Sequence, residues 1–252
     1  MSIEQRMGEM PLMSHLFELR DRIVRAVLAI VIAFVPLAFY AAELYSYFIK
    51  PVIATLPQGS TMIATQVASQ FLAPLSLAIY AALFIAAPVV IYQLWAFVAP
   101  GLYKHEKRLA IPLLVSAVLL FYTGAAFAYY FVVPVCFQFF SAIQIQGVQY
   151  LPDISAYMDF ALFMFLAFGV SFEVPVVILI LVRMGIVSTA KLTEWRGYVI
   201  VIIFIIAAIL TPPDAVSQVM MAVPMWLLYE AGLFIAKILE KDKKPDDESA
   251  TE

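Results

Sequence analysis

The sequence predicts an all-α polytopic membrane protein with six transmembrane helices and both termini cytoplasmic. Three observations carry this. Of 252 residues, 64% are hydrophobic and only 13% charged, more apolar surface than a water-soluble chain of this length can use. The apolar residues fall in long runs, and a hydrocarbon core about 30 Å thick takes roughly 20 helical residues per crossing. The basic residues fall in four islands: Arg6, Arg20, Arg22 and Arg25; Lys104, Lys107 and Arg108; Arg183, Lys191 and Arg196; Lys237, Lys241, Lys243 and Lys244. With six spans, 14 of the 15 Lys and Arg share one side and only Lys50 takes the other, as the excess of basic residues in cytoplasmic loops requires. Five spans would split that bias.

Taken in order, residues 1–22 read as a short amphipathic cytoplasmic segment, without the apolar core and small-residue cleavage site of a secretory signal. The first span centres on Ala26–Ala42, bent at Pro36. Residues 46–70, punctuated by Pro51, Pro57 and Gly59, read as short helices and turns forming a periplasmic cap. Ser69 is placed to cap the second span, which runs to about Val98 with Pro88 inside it. Residues 109–152 carry no charge over 44 positions, so the third span is long, reaches about Ser141 and tilts or protrudes. Gln144–Gly147 reads as an external turn. The fourth span runs from about Ala156 to Val182, with Asp159 near its start and Glu173-Val174-Pro175 inside it. The last two spans, Gly197–Thr211 and Ala215–Tyr229, hold 15 residues each between polar boundaries. At about 1.5 Å per residue they reach only about 22 Å, which predicts short helices and a thinned bilayer or shielded ends. Residues 1–236 thus form a single transmembrane domain, and 237–252 a polar cytoplasmic tail.

Few residues can carry chemistry. The single cysteine, Cys136, excludes an intramolecular disulfide. His15 and His105, without a cysteine cluster, argue against a structural metal site. No P-loop pattern occurs, so any transport draws on a gradient or a partner. Glu173 stands about ten residues from Arg183, deep in a span, where an ionisable group is costly and faces a protein interior or a watery cavity. Read as bland structure, it is a neutral glutamic acid holding helices together. Glu18 precedes Arg22 by four residues, a common helix-surface pair, and Glu106 sits where an acid suits a helix start. Asp214, after Pro212-Pro213, is placed to cap the sixth span, and Phe97 reads as an interface aromatic. An intramembrane protease needs a dyad at membrane depth, and none is visible. A small-solute secondary transporter often shows internal repeats, and none is convincing here.

Four separated motifs stand in this chain: SHLFELRDR at 14–22, WAFVAPGLYKHEKR at 95–108, FGVSFEVP at 168–175 and LTPPDAVSQ at 210–218. In this order, and with six spans, the chain resembles the TatC family of the twin-arginine protein translocase over essentially its whole length. The resemblance implies a receptor, not an enzyme. It implies binding of twin-arginine signal peptides of folded precursors through Glu18 and Glu106, with Phe97 alongside. Arg20 and Pro51 match positions that matter in the family, Arg20 organising the face around Glu18 and Pro51 shaping the external cap. Thr211 and Gln218 suit docking of single-span TatA and TatB partners, and Glu173 lines a cavity near the inserted signal. It further implies oligomeric assembly in the bacterial inner membrane, export driven by the proton gradient, and neither cofactor nor nucleic acid.

Overall fold

The computed structural model describes residues 3–53, 62–98, 107–143, 151–211 and 215–241. The described chain is helical: α1 (Ile3–Phe39), α2 (Ala41–Ile53), α3 (Ser69–Val98), α4 (Lys107–Phe127), α5 (Val133–Ala142), α6 (Ile154–Ser171), α7 (Val174–Arg183), α8 (Thr189–Glu194), α9 (Arg196–Leu210) and α10 (Ala215–Lys241), with a π-helical turn, Ala128–Val132, joining α4 to α5. Among the described residues the sole β feature is an isolated parallel bridge between Ile63 and Asp153. Five stretches are long and apolar enough to cross a membrane: His15–Phe39, Ser69–Phe97, Ile111–Ala142, Ile154–Arg183 and Ser217–Glu240. Arg196–Ile209 is a shorter apolar helix. The polar segment expected ahead of the first span is continuous with it in α1.

The chain divides into two compact units. The first takes α1, nearly all of α2, α3 and the first half of α4. Here α1 packs along α3, which buries Ala78, Ala82 and Ala86 on one stripe. Alanines four apart lie on one helix face and let a neighbouring backbone come close. Ser69, expected as a cap, is the first residue of α3 and is buried, its Oγ without a hydrogen bond.

In the second unit the third and fourth spans meet through aromatic rings. Phe127 lies 5.6 Å from Phe168, Tyr129 5.8 Å from Phe165, and Phe137 4.5 Å from Tyr157, centroid to centroid. Such offset and edge-on pairs stabilise beyond their buried area. Gly124 permits the approach: a Cβ there would sit 2.4 Å from the backbone oxygen of Phe168. The π turn, in which the Val133 amide donates to the Ala128 carbonyl, widens the helix by one residue. It buries Ala128 and Val132 against the neighbouring helix, a local change that hydropathy does not register.

Asp153 caps α6. Its Oδ1 accepts from the amides of Ser155 and Ala156 at 2.9 and 3.0 Å, and its Oδ2 from the Thr65 amide and hydroxyl at 2.9 and 2.7 Å. Backbone bonds Ile63 to Pro152 and Ile154 to Ile63 close the same junction. The chain entering α3 is thereby tied to the start of α6. These donors, the Ala156 amide first and then Thr65, hold the Asp153 carboxyl down at about 2, because they favour its charged form.

The end of α7 follows from Gly185, whose φ of +70° suits glycine. The Ile186 amide reaches the Leu181 carbonyl and the Gly185 amide that of Val182, a Schellman termination. The last two helices differ from each other. α9 is short as expected, with 15 residues. α10 is not: it continues for 27 residues, through Glu230 to Lys241. The expected short sixth span, Ala215–Tyr229, stops before Glu230, whereas the helix carries that charge well inside it. Arg196 Nη2 donates to Glu230 Oε2, Tyr229 Oη donates to the Leu192 carbonyl at 2.6 Å, and Thr189 Oγ1 donates to Glu240. These contacts anchor the emerging part of α10 on α8 and the start of α9.

Two outcomes follow. Asp153→Ala is expected to lower stability by about 1–2 kcal/mol, the range for a lost helix cap, read as a lower midpoint in detergent unfolding. Because the folded carboxyl titrates below its unfolded value, its contribution is present above pH ~4 and lost as pH falls through about 2. The Asp153→Ala variant should lack that acid-dependent loss. Gly124→Ala should cost about 1–3 kcal/mol by overpacking, since the obstructing atom is backbone.

Candidate functional site

The polar ends of α1 and α3 form the candidate site in the first unit. His15, one turn ahead of the apolar part of α1, stacks on Phe97 near the end of α3, with ring centroids 4.3 Å apart and planes 14° from parallel. Glu18, three residues on, turns Oε2 toward His15 Nδ1 at 3.9 Å. Its Oε1 accepts from Arg22 through both Nε, at 3.0 Å, and Nη2. His15 thus stands between Phe97 and the Glu18 carboxylate.

Arg20 donates Nε and Nη2 to Asp21 at 3.0 and 2.8 Å and lies over the Phe17 ring at 5.4 Å. Successive helical residues point about 100° apart, so positions 18 and 22 share a face that position 20 does not. One turn before Phe97 on the same face of α3, Gln93 is buried and its Oε1 has no hydrogen bond. Neither Gln93 nor His15 stood out in the sequence as a site residue. Their signal was spacing: Gln93 and Phe97 lie four apart, and His15 and Glu18 three apart.

Glu106 and Asp214 lie outside the described residues, as does the turn at Gln144–Gly147. Pro51 falls in the last turn of α2. Glu173 sits at a break between α6 and α7, where Phe172 and Glu173 leave the helix and Pro175 opens the next. Its side chain makes no capping bond, and its Oε1 is buried without a partner. The interruption is what a proline requires, since it removes a donor and crowds the preceding turn. Thr211 is buried and donates Oγ1 to the Ala207 carbonyl at 2.9 Å. Gln218 donates Nε2 to the Phe204 carbonyl at 3.0 Å, joining α10 to α9. Both side chains are thus engaged within the helix pair. Among the described residues no group of three or more His, Cys, Asp or Glu is arranged to hold a metal.

Among the described residues, five apolar stretches long enough to span a bilayer define a multi-pass membrane protein. The family model for the Sec-independent protein translocase protein (TatC) matches residues 14–224, and the chain belongs to that family. It is 50% identical to the TatC protein of Azotobacter chroococcum over 94% of this chain and 93% of that one. It is 49% identical to that of Escherichia coli K12 over 90% and 88%. A crystal structure of a twin-arginine translocase receptor, TatC, superposes with a TM-score of 0.80 at 34% identity, covering 89% of this chain and 98% of that one. The chain is therefore a component of a protein translocase rather than an enzyme.

The Arg196–Glu230 pair gives a direct check on the packing described. Arg196→Ala leaves a half-buried carboxylate unpaired and should lower the unfolding midpoint. Arg196→Ala combined with Glu230→Gln should recover part of the loss, because the stranded charge is then gone.

Proposed function

We propose that this chain is the receptor core of the twin-arginine translocase. It spans the bacterial inner membrane six times, α9 supplying the short fifth crossing, with both termini cytoplasmic. Residues 46–70 form the periplasmic cap and 237–252 the cytoplasmic tail. Signal peptides of folded precursors bind at the cytoplasmic face through Glu18 and Glu106, with Phe97 alongside. The observation that supports this reading most is that the Glu18 carboxylate already receives a guanidinium through two nitrogens, from Arg22. A site that seats one arginine in this way has the chemistry to seat another.

Adjacent side chains of an extended peptide point to opposite sides, so two consecutive arginines need two separated acids. Lysine cannot reproduce a two-nitrogen contact, because its ammonium is a point charge. Phe97, held by His15, offers an apolar face to the part of the signal that follows. That part inserts along the helices near Glu173, whose partnerless oxygen lies at a helix break where a polar partner can be received. Single-span TatA and TatB subunits dock at the α9–α10 end around Thr211 and Gln218, and the proton gradient drives transport. The small-solute transporter reading is not favoured, since the matched relatives are protein translocase components.

Glu18→Ala and Glu106→Ala are each expected to reduce crosslinking of a twin-arginine peptide to the full chain. An Arg-Arg to Lys-Lys peptide should fail with the unsubstituted chain. Undiminished crosslinking to the double variant overturns the assignment of these acids. Export by Glu173→Gln measures whether a negative charge there is needed; wild-type export would show that it is not, leaving a protonated role open.

A further inference from the structure

We propose that Arg22 is an internal competitor for the peptide site: it occupies Glu18 in the resting receptor and must leave when a ligand arginine arrives. This rests on the reading of Glu18 as a peptide-binding acid. Both oxygens of Glu18 face groups of the chain itself. Oε1 takes two nitrogens of Arg22, and Oε2 faces His15 Nδ1 at 3.9 Å. The Arg22 side chain is 20% exposed, against 38% for Glu18 and 66% for Arg20. The arginine that holds Glu18 is thus less exposed than the carboxylate itself, and far less than its neighbour Arg20.

Glu–Arg pairs four residues apart are common on helix surfaces and modest in strength. This pair differs in that the occupant of the acid is the same chemical group as the proposed ligand. Engaging Glu18 then exchanges one guanidinium for another, and the gain is only the difference between the two contacts. The exchange lowers affinity equally for any cation that needs Glu18. It does not create the preference for arginine over lysine, which belongs to the geometry of the acid. Its consequence is a shorter bound lifetime: Arg22 is tethered one turn away at high effective concentration and recaptures the carboxylate as soon as the ligand lets go. A receptor that must hand its cargo onward benefits from a competitor of this kind.

The test measures affinity and dissociation rate of a twin-arginine signal peptide with the full chain in nanodiscs. The forms compared are unsubstituted, Arg22→Gln, Glu18→Gln and the double variant. Arg22→Gln should bind roughly threefold tighter, chiefly through slower dissociation. The gain should vanish when Glu18 is already Gln. An equal gain in both backgrounds marks a general charge effect and overturns the proposal, as does no gain at all. If Glu18→Gln alone leaves affinity unchanged, the peptide-site reading fails whatever Arg22 does. Arg22→Lys keeps the basic charge at this position and carries the same test, with a smaller expected gain, should Arg22→Gln fail to accumulate.

Discussion

A backbone in the hydrocarbon core has no water to hydrogen-bond, so each polar group of a crossing segment must be satisfied within the protein. The molecule follows from that constraint. Its spans are helical, and its charges gather where helices begin or end. Connections are fastened by specific side chains: Asp153 with Thr65, Glu240 with Thr189, Tyr229 with the Leu192 carbonyl. Among the described residues the exceptions include Ser69 Oγ, Gln93 Oε1 and, at the break between α6 and α7, Glu173 Oε1, each buried without a hydrogen bond. Glu230 lies on an unbroken helix but holds Arg196 with its other oxygen. Glu173 and Glu230 thus each keep a buried oxygen without a hydrogen bond.

The same constraint explains why the candidate site lies at helix ends. Glu18, His15 and Phe97 come from elements far apart in sequence, and the packing of α1 along α3 fixes their arrangement. The ring stack of His15 on Phe97 ties the two helices together, with the Glu18 carboxylate on the other side of His15 at 3.9 Å from Nδ1.

Charge counting located the spans well, because charged islands bound apolar runs wherever helices leave the membrane. The second span, expected from Ser69 to about Val98, is α3, and the third, expected to end near Ser141, ends at Ala142. What was not legible depended on contacts between distant residues. The length of α10 rests on Arg196 reaching Glu230, and the cap on α6 rests on Thr65 reaching Asp153 across 88 positions. The π turn at Ala128–Val132 rests on packing that no periodicity records. At the site, Glu18 and Phe97 came from motif resemblance. The stack of Phe97 on His15 and the two-nitrogen contact of Arg22 on Glu18 required the fold. The pairing of positions 18 and 22 was already legible as a four-residue helical spacing.

The central claim is that Glu18 contacts an arginine of the bound peptide. A two-by-two cycle tests this most directly, pairing Glu18→Gln with replacement of each peptide arginine in turn by glutamine and measuring affinity for all combinations. The account predicts that for one of the two arginines the double change costs less than the sum of the single changes, by at least about 1 kcal/mol. Strictly additive losses at both arginines would contradict it.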